Sequence, residues 1–208
     1  MGVRTEQELF WEGEFGDVYT ERNKGLDWVA SNTSFFSKVL HRTSKIESIL
    51  EFGANRGLNI YALQTLLPKA HLSAVEINSS AAAELRKNHP LAEVFNTSIF
   101  EFEAPRKWDL TFTKGVLIHI NPEKLPEAYA ALYNNSSKYI VIAEYYNPSP
   151  VELSYRGHSS KLFKRDFAGE LMNTYNDLVL VDYGFVYHRD RNFPQDDISW
   201  FIMEKQPK

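Results

Sequence analysis

The segment Ile46 to Phe52 is a short apolar run that ends at Gly53, and Leu58 to Leu67 follows at helical spacing until Pro68 stops it. A strand, a glycine turn and a helix in that order form half of a crossover unit, and the pattern repeats. Strand Leu72 to Ile77 precedes helix Ser79 to Asn88, with a short strand at Leu91 to Phe95. Strand Trp108 to Thr113 precedes helix Pro122 to Tyr133, and strand Tyr139 to Ala143 follows. Strands that alternate with helices need crossover connections, so they pair in parallel and are covered on both faces.

The two ends of the chain read differently. From Glu6 to Arg42, apolar residues such as Phe10, Trp11, Phe15, Trp28, Phe35 and Phe36 recur at helical spacing, which predicts two or three helices. These form an N-terminal helical cap over residues 1–45, ahead of a core over 46–208. The final third is a mixed loop from Tyr145 to Lys164, a helix from Arg165 to Asn173, and two strands, Leu178 to Tyr187 and Ile198 to Glu204. The turn-rich segment His188 to Asp197 joins those strands as a hairpin. The expected fold is α/β and Rossmann-like: about seven strands, mostly parallel, helices on both faces and a C-terminal antiparallel hairpin. At 208 residues the chain fits one domain with a sizeable core.

Composition narrows the partners. A net charge of -4 gives no general attraction to phosphate backbones, so nucleic acid is not an expected partner. With no cysteine there is no disulfide, no thiolate nucleophile and no thiolate zinc site, so catalysis must use oxygen or nitrogen groups. Neither an apolar targeting segment behind Met1 nor an apolar run near the roughly 18 residues of a membrane helix is present, which points to a cytoplasmic protein without membrane insertion.

The loop after the first core strand reads Glu51-Phe52-Gly53-Ala54-Asn55-Arg56-Gly57 and opens where an α/β sheet holds its ligand crevice. A dinucleotide fingerprint needs glycine where Asn55 stands. The spacing acid-x-G-x-x-x-G instead resembles motif I of S-adenosylmethionine (SAM) methyltransferases. That resemblance implies that Gly53, Ala54, Asn55 and Gly57 receive the methionine half of the cofactor, with Glu51 near its amino group. It also implies that Glu76, at the end of the second strand, accepts from both ribose hydroxyls, a task suited to the two oxygens of a carboxylate. Ile77 then meets adenine, Ser98 and Ile99 form the adenine-edge loop, and Lys114, Gly115 and His119 flank the transferable methyl. The resemblance further implies that Tyr19 and Arg22 cover the cofactor from the N-terminal helices.

Longer stretches resemble a narrower group, the pseudaminic acid biosynthesis-associated methylases. They include Phe10-Trp11-Glu12-Gly13-Glu14-Phe15-Gly16-Asp17, Phe112 to Pro122, Ile142 to Pro148, Tyr155-Arg156-Gly157-His158, Leu162 to Glu170 and Val181 to Asp190. This resemblance implies a class I methyltransferase that uses SAM, releases S-adenosylhomocysteine (SAH), and acts on a small anionic or nucleotide-activated sugar of nonulosonic type in surface polysaccharide synthesis, by O-methylation. An amine or carboxylate acceptor, or a regulator that binds a nucleotide without catalysis, are the alternatives.

For the acceptor, Tyr155 to Arg165 holds Arg156, His158, Lys161, Lys164 and Arg165 without an acid, and Tyr146 precedes it. Either these groups hold an anion or they are a solvated loop. A sugar hydroxyl needs a general base, and His119, His158 and His188 are the candidates. His119 equally suits a core-edge histidine, and His188 a solvated turn. No carboxylate spacing marks a metal site, so metal independence is expected.

Overall fold

A computed structural model describes residues 4–22 and 25–207. Residues Met1 to Val3, read above as lacking a targeting segment, lie outside that set. Three helices come first: α1 (Glu6–Glu12), α2 (Glu14–Arg22) and α3 (Leu26–Val39). Thr5 starts α1 with a capping box, its hydroxyl accepting from the Glu8 N–H and the Glu8 carboxylate accepting from the Thr5 N–H. There follow β1 (Ser48–Phe52), α4 (Leu58–Leu66), β2 (His71–Glu76), α5 (Ser79–Asn88), β3 (Glu93–Asn96), β4 (Trp108–Lys114), α6 (Leu125–Asn135) and β5 (Ser136–Glu144). The remainder is β6 (Val151–Tyr155), β7 (His158–Lys164), α7 (Phe167–Thr174), β8 (Leu178–Val186) and β9 (Ile198–Lys205).

Seven strands form one sheet in the order β3-β2-β1-β4-β5-β9-β8, parallel from β3 to β5, with β9 antiparallel to both β5 and β8. The expected fold class is therefore observed, terminal hairpin included. Chain order reverses between β1 and β4, so their C-terminal ends diverge into a crevice.

Both faces of the sheet are covered, which is why its strands read as nearly unbroken apolar runs. Ile49, Ala74, Phe112 and Val141 pack with Phe35 and Phe36 of α3 and with Ile60 and Leu63 of α4. Leu50, Phe52, Val75 and Ile140 pack on the other side with Leu132 of α6 and Leu171 of α7. Side chains alternate along a strand, so Glu51 shares the face of Ile49, and Glu76 that of Ala74. Both carboxylates thus leave the sheet toward α4. Phe35, Phe36 and Val39 are fully buried, so α3 belongs to the core, and only α1 and α2 form a cover.

Two elements differ in kind from expectation. The helix at Pro122 begins as a single 3-10 turn, Pro122–Lys124, before α6. The segment read as a mixed loop is instead the hairpin β6–β7, with Tyr155 opposite His158 across Arg156 and Gly157. Both of those residues have positive φ, 51° and 86°, the geometry of a tight primed turn. Arginine seldom adopts that conformation, which hid the turn.

Candidate functional site

At the C-terminal ends of β1, β2 and β4, roofed by α1 and α2, lies a cavity of about 240 Å³. Gly53, Ala54 and Asn55 form its floor. Gly53 has φ 75°, and a Cβ there would come within 2.5 Å of a Val116 methyl, so only glycine allows the loop to run so close to the turn after β4. Gly57 lies behind the loop as the N-cap of α4 with φ 90°, outside the lining.

Glu76 is buried and takes the Asn55 N–H at 2.7 Å and the Asn78 N–H at 2.8 Å. Burial raises its pKa, and the amides of Asn78, Asn55 and Ile77 oppose the rise. One carboxylate thereby fixes the ends of two loops while facing the cavity. Ile77, Ser98 and Ile99 line the same end. The Ser98 hydroxyl donates to Glu8 of α1 at 2.6 Å, and the Asn78 amide donates to the Trp11 and Glu12 carbonyls and to Asp17. These bonds tie the cover to the strand tips.

Glu51 is only 1% exposed and stands behind the wall. Its Oε1 accepts from the Asn59 amide at 2.6 Å. Its Oε2 and the Asn59 Oδ1 are buried without a hydrogen-bond partner. Burial pushes the Glu51 carboxyl up to about 7, against the lowering effect of Asn59 and Lys114. Two unpaired acceptors in one place are costly unless a donor completes them. Asn59 lines the cavity, so a ligand could supply that donor. Lys114 lines it too, its pKa lowered by burial and sustained by the charges of Asp196, Glu51 and Glu144.

Beyond Lys114 and Gly115 the wall becomes aromatic. His119 stands 4.6 Å from the Trp11 ring and 4.9 Å from Tyr155, and its Nδ1 is 2.6 Å from the Lys161 carbonyl. A carbonyl can only accept, so Nδ1 carries the proton and Nε2 the lone pair. Burial drives the His119 pKa down to about 4, which keeps the ring neutral. The turn bearing it is held by Glu144, whose carboxylate accepts from the Val116, Leu117 and Ile118 amides. Tyr19 also lines the cavity, 5.2 Å from Trp11, whereas Arg22 is exposed and outside the lining.

The other nominated residues do not reach the cavity lining. His158 is exposed and packs on Phe10 and Phe15; His188 is exposed and bonded to Asp197 at 2.8 Å. Lys161 is buried and paired with Glu6, with its ammonium over Phe10. Arg165 is bound to Glu170, Lys164 lies over the Tyr145 ring, Arg156 lies over Tyr155, and Tyr146 is 42% exposed beside Phe201. The basic segment is therefore a hairpin that lies outside this cavity lining. Among the described residues, no group of three or more His, Asp or Glu is placed to hold a metal ion, the His188 turn included. No described helix is long and apolar enough to cross a membrane.

The sequence did not single out Asn59, Glu144 or Asp196, and marked Trp11 only as one of the apolar residues at helical spacing. Asn59 had a signal, a polar residue between Leu58 and Ile60 in the first turn after the glycine loop.

No family model and no curated protein matches the sequence. Solved structures do match in shape. DesVI of Streptomyces venezuelae superposes with a TM-score of 0.65 at 14% identity, over 94% of this chain and 100% of that one. The magnesium protoporphyrin IX methyltransferase ChlM of Synechocystis PCC 6803, with bound SAM, gives 0.68 at 11%, over 99% and 100%. SAM-bound CalS10, an amino pentose methyltransferase from Micromonospora echinaspora, gives 0.63 at 10%, over 99% of each. Strand order, crevice and these superpositions agree: the chain has the Rossmann-like fold of the class I SAM-dependent methyltransferases.

Proposed function

We propose that the protein is a SAM-dependent methyltransferase acting on a small molecule of sugar type. The observation that carries this reading is the pair of unpartnered buried acceptors, Glu51 Oε2 and Asn59 Oδ1, beside a cavity that Glu76 also faces. An α-ammonium supplies donors for the first pair, and two ribose hydroxyls suit the remaining lone pairs of Glu76. Lys114 would hold the α-carboxylate, and Ile77, Ser98 and Ile99 the adenine. The cofactor brings an electrophilic methyl on sulfonium, so this chain has to orient an acceptor, exclude water and take up a proton. Trp11 and Tyr19, which line the cavity, would shield the methyl end. For a hydroxyl acceptor, neutral His119 would offer its Nε2 lone pair there to the departing proton.

Support for a sugar acceptor comes from the sequence resemblance to pseudaminic acid biosynthesis-associated methylases and from the fold shared with the amino pentose methyltransferase CalS10. Calorimetric titration with SAM, SAH and NAD tests the reading. Saturable binding of the first two without the third is expected; preference for the dinucleotide overturns it.

A further inference from the structure

The far end of the cavity carries more information about the acceptor than the basic hairpin does. Asp196, in the β8–β9 connection, lines the cavity and is exposed at its mouth. Its neighbour Gln195 is buried and donates to Asn32 of α3 at 2.9 Å, which anchors the loop there. Asp196 faces a group of phenols: burial first, and then the Asp196 carboxylate and the nearby Tyr19 and Tyr155, raise the pKa of the Tyr145 hydroxyl. Trp11 and His119 complete this ring-lined end. The Trp11 Nε1–H is buried and lacks an acceptor.

Charge is the deciding quantity. Glu76 and Asp196 line the cavity, and Glu51 and Glu144 lie buried close enough to act on Lys114. Against these carboxyls the lining sets Lys114 and Arg56, and Arg56 is already paired with Glu84 at 3.1 Å. Lys164 is turned toward Asp197 and Tyr145, outside the lining, and His119 is neutral. Lys114 is the cation that the cofactor carboxylate would occupy; among the other described lining residues an anionic acceptor would meet carboxylates and no unpaired cation, whereas a cation would meet Asp196 and the negative faces of aromatic rings.

Resting on the methyltransferase reading above, we propose that the acceptor is an aliphatic amine with a neighbouring oxygen, as in an amino sugar. Asp196 receives its ammonium and the Trp11 N–H its oxygen. Passage of one ammonium proton to the Asp196 carboxylate would uncover the nitrogen lone pair; the N–CH3 bond would form as the methyl–sulfur bond breaks, leaving SAH and an N-methylammonium, and Asp196 would return its proton to solvent. The charges along the hairpin give way to those at the cavity mouth: the acceptor is recognised by an acid.

The test uses the full chain saturated with SAH and titrated calorimetrically with D-glucosamine, D-glucose, D-glucuronate and cyclohexylamine. Glucosamine is expected to bind at least about tenfold more tightly than glucose, with glucuronate no better than glucose. Asp196→Asn, an exposed and conservative change, should remove that preference. Trp11→Phe should narrow the gap between glucosamine and cyclohexylamine. Absence of an amine preference, preference for glucuronate, or a preference that survives in Asp196→Asn overturns the proposal. Failure of wild-type protein to bind SAH would instead overturn the methyltransferase reading itself.

Discussion

The strand tips and the β6–β7 hairpin both carry conspicuous charge, yet only the strand-tip carboxylates border the cavity under α1 and α2. Glu51 and Glu76 lie on adjacent parallel strands, on the same face and near the same sheet edge, so the topology brings them together whatever their partners. The hairpin is under no such constraint. Its cations settle locally: Lys161 on Glu6, Arg165 on Glu170, Lys164 and Arg156 over tyrosine rings. A charge has functional meaning when the backbone leaves it facing a cavity, and structural meaning when a neighbour already neutralises it.

Three measurements can break or sharpen that contrast. The largest effect is expected at the strand tips, where Glu76→Ala should weaken SAM and SAH binding by between about 1 and 3 kcal/mol, since charge-assisted hydrogen bonds lose their acceptor and the Asn55 and Asn78 amides are orphaned. Unchanged affinity by calorimetry would remove Glu76 from the site.

An intermediate effect concerns pH. The Glu51 carboxyl sits at about 7, and an ammonium binds its ionised form, so cofactor binding must release a proton below that pH. Affinity should therefore hold above pH about 7 and fall by up to about tenfold per unit below it. Glu51→Gln should flatten that slope; an unaltered slope would place the titrating group elsewhere.

The smallest effect belongs to the hairpin. Arg156→Ala and Lys164→Ala should leave SAH binding within about twofold of wild type, because each cation rests on an aromatic ring outside the lining and such exposed contacts contribute little. A large loss from either would restore the hairpin as a binding surface.

Much of this molecule was legible beforehand because its signals are local. Apolar runs of strand length, the glycine spacing at Gly53 and Gly57, and Pro68 after α4 act within a few residues, so the core alternation and the C-terminal hairpin could be read directly. The sheet edge then followed from the crossover rule, while Glu76, Ser98 and Lys114 were picked out along it by the resemblance to SAM methyltransferases.

What only the tertiary structure decided are relations between distant residues. The Asp196 loop reaches the cavity because Gln195 bonds to Asn32, 163 positions away in sequence. His119 presents Nε2 because the Lys161 carbonyl takes its other nitrogen and Glu144 caps its turn. The hairpin's cations are spent on partners that sequence does not mark, such as Glu6 for Lys161. Sequence determines where backbone turns and which face of a strand is apolar, since those follow from neighbouring residues. Which charge remains available to a ligand depends on every group within a few ångströms, and folding alone assembles that neighbourhood.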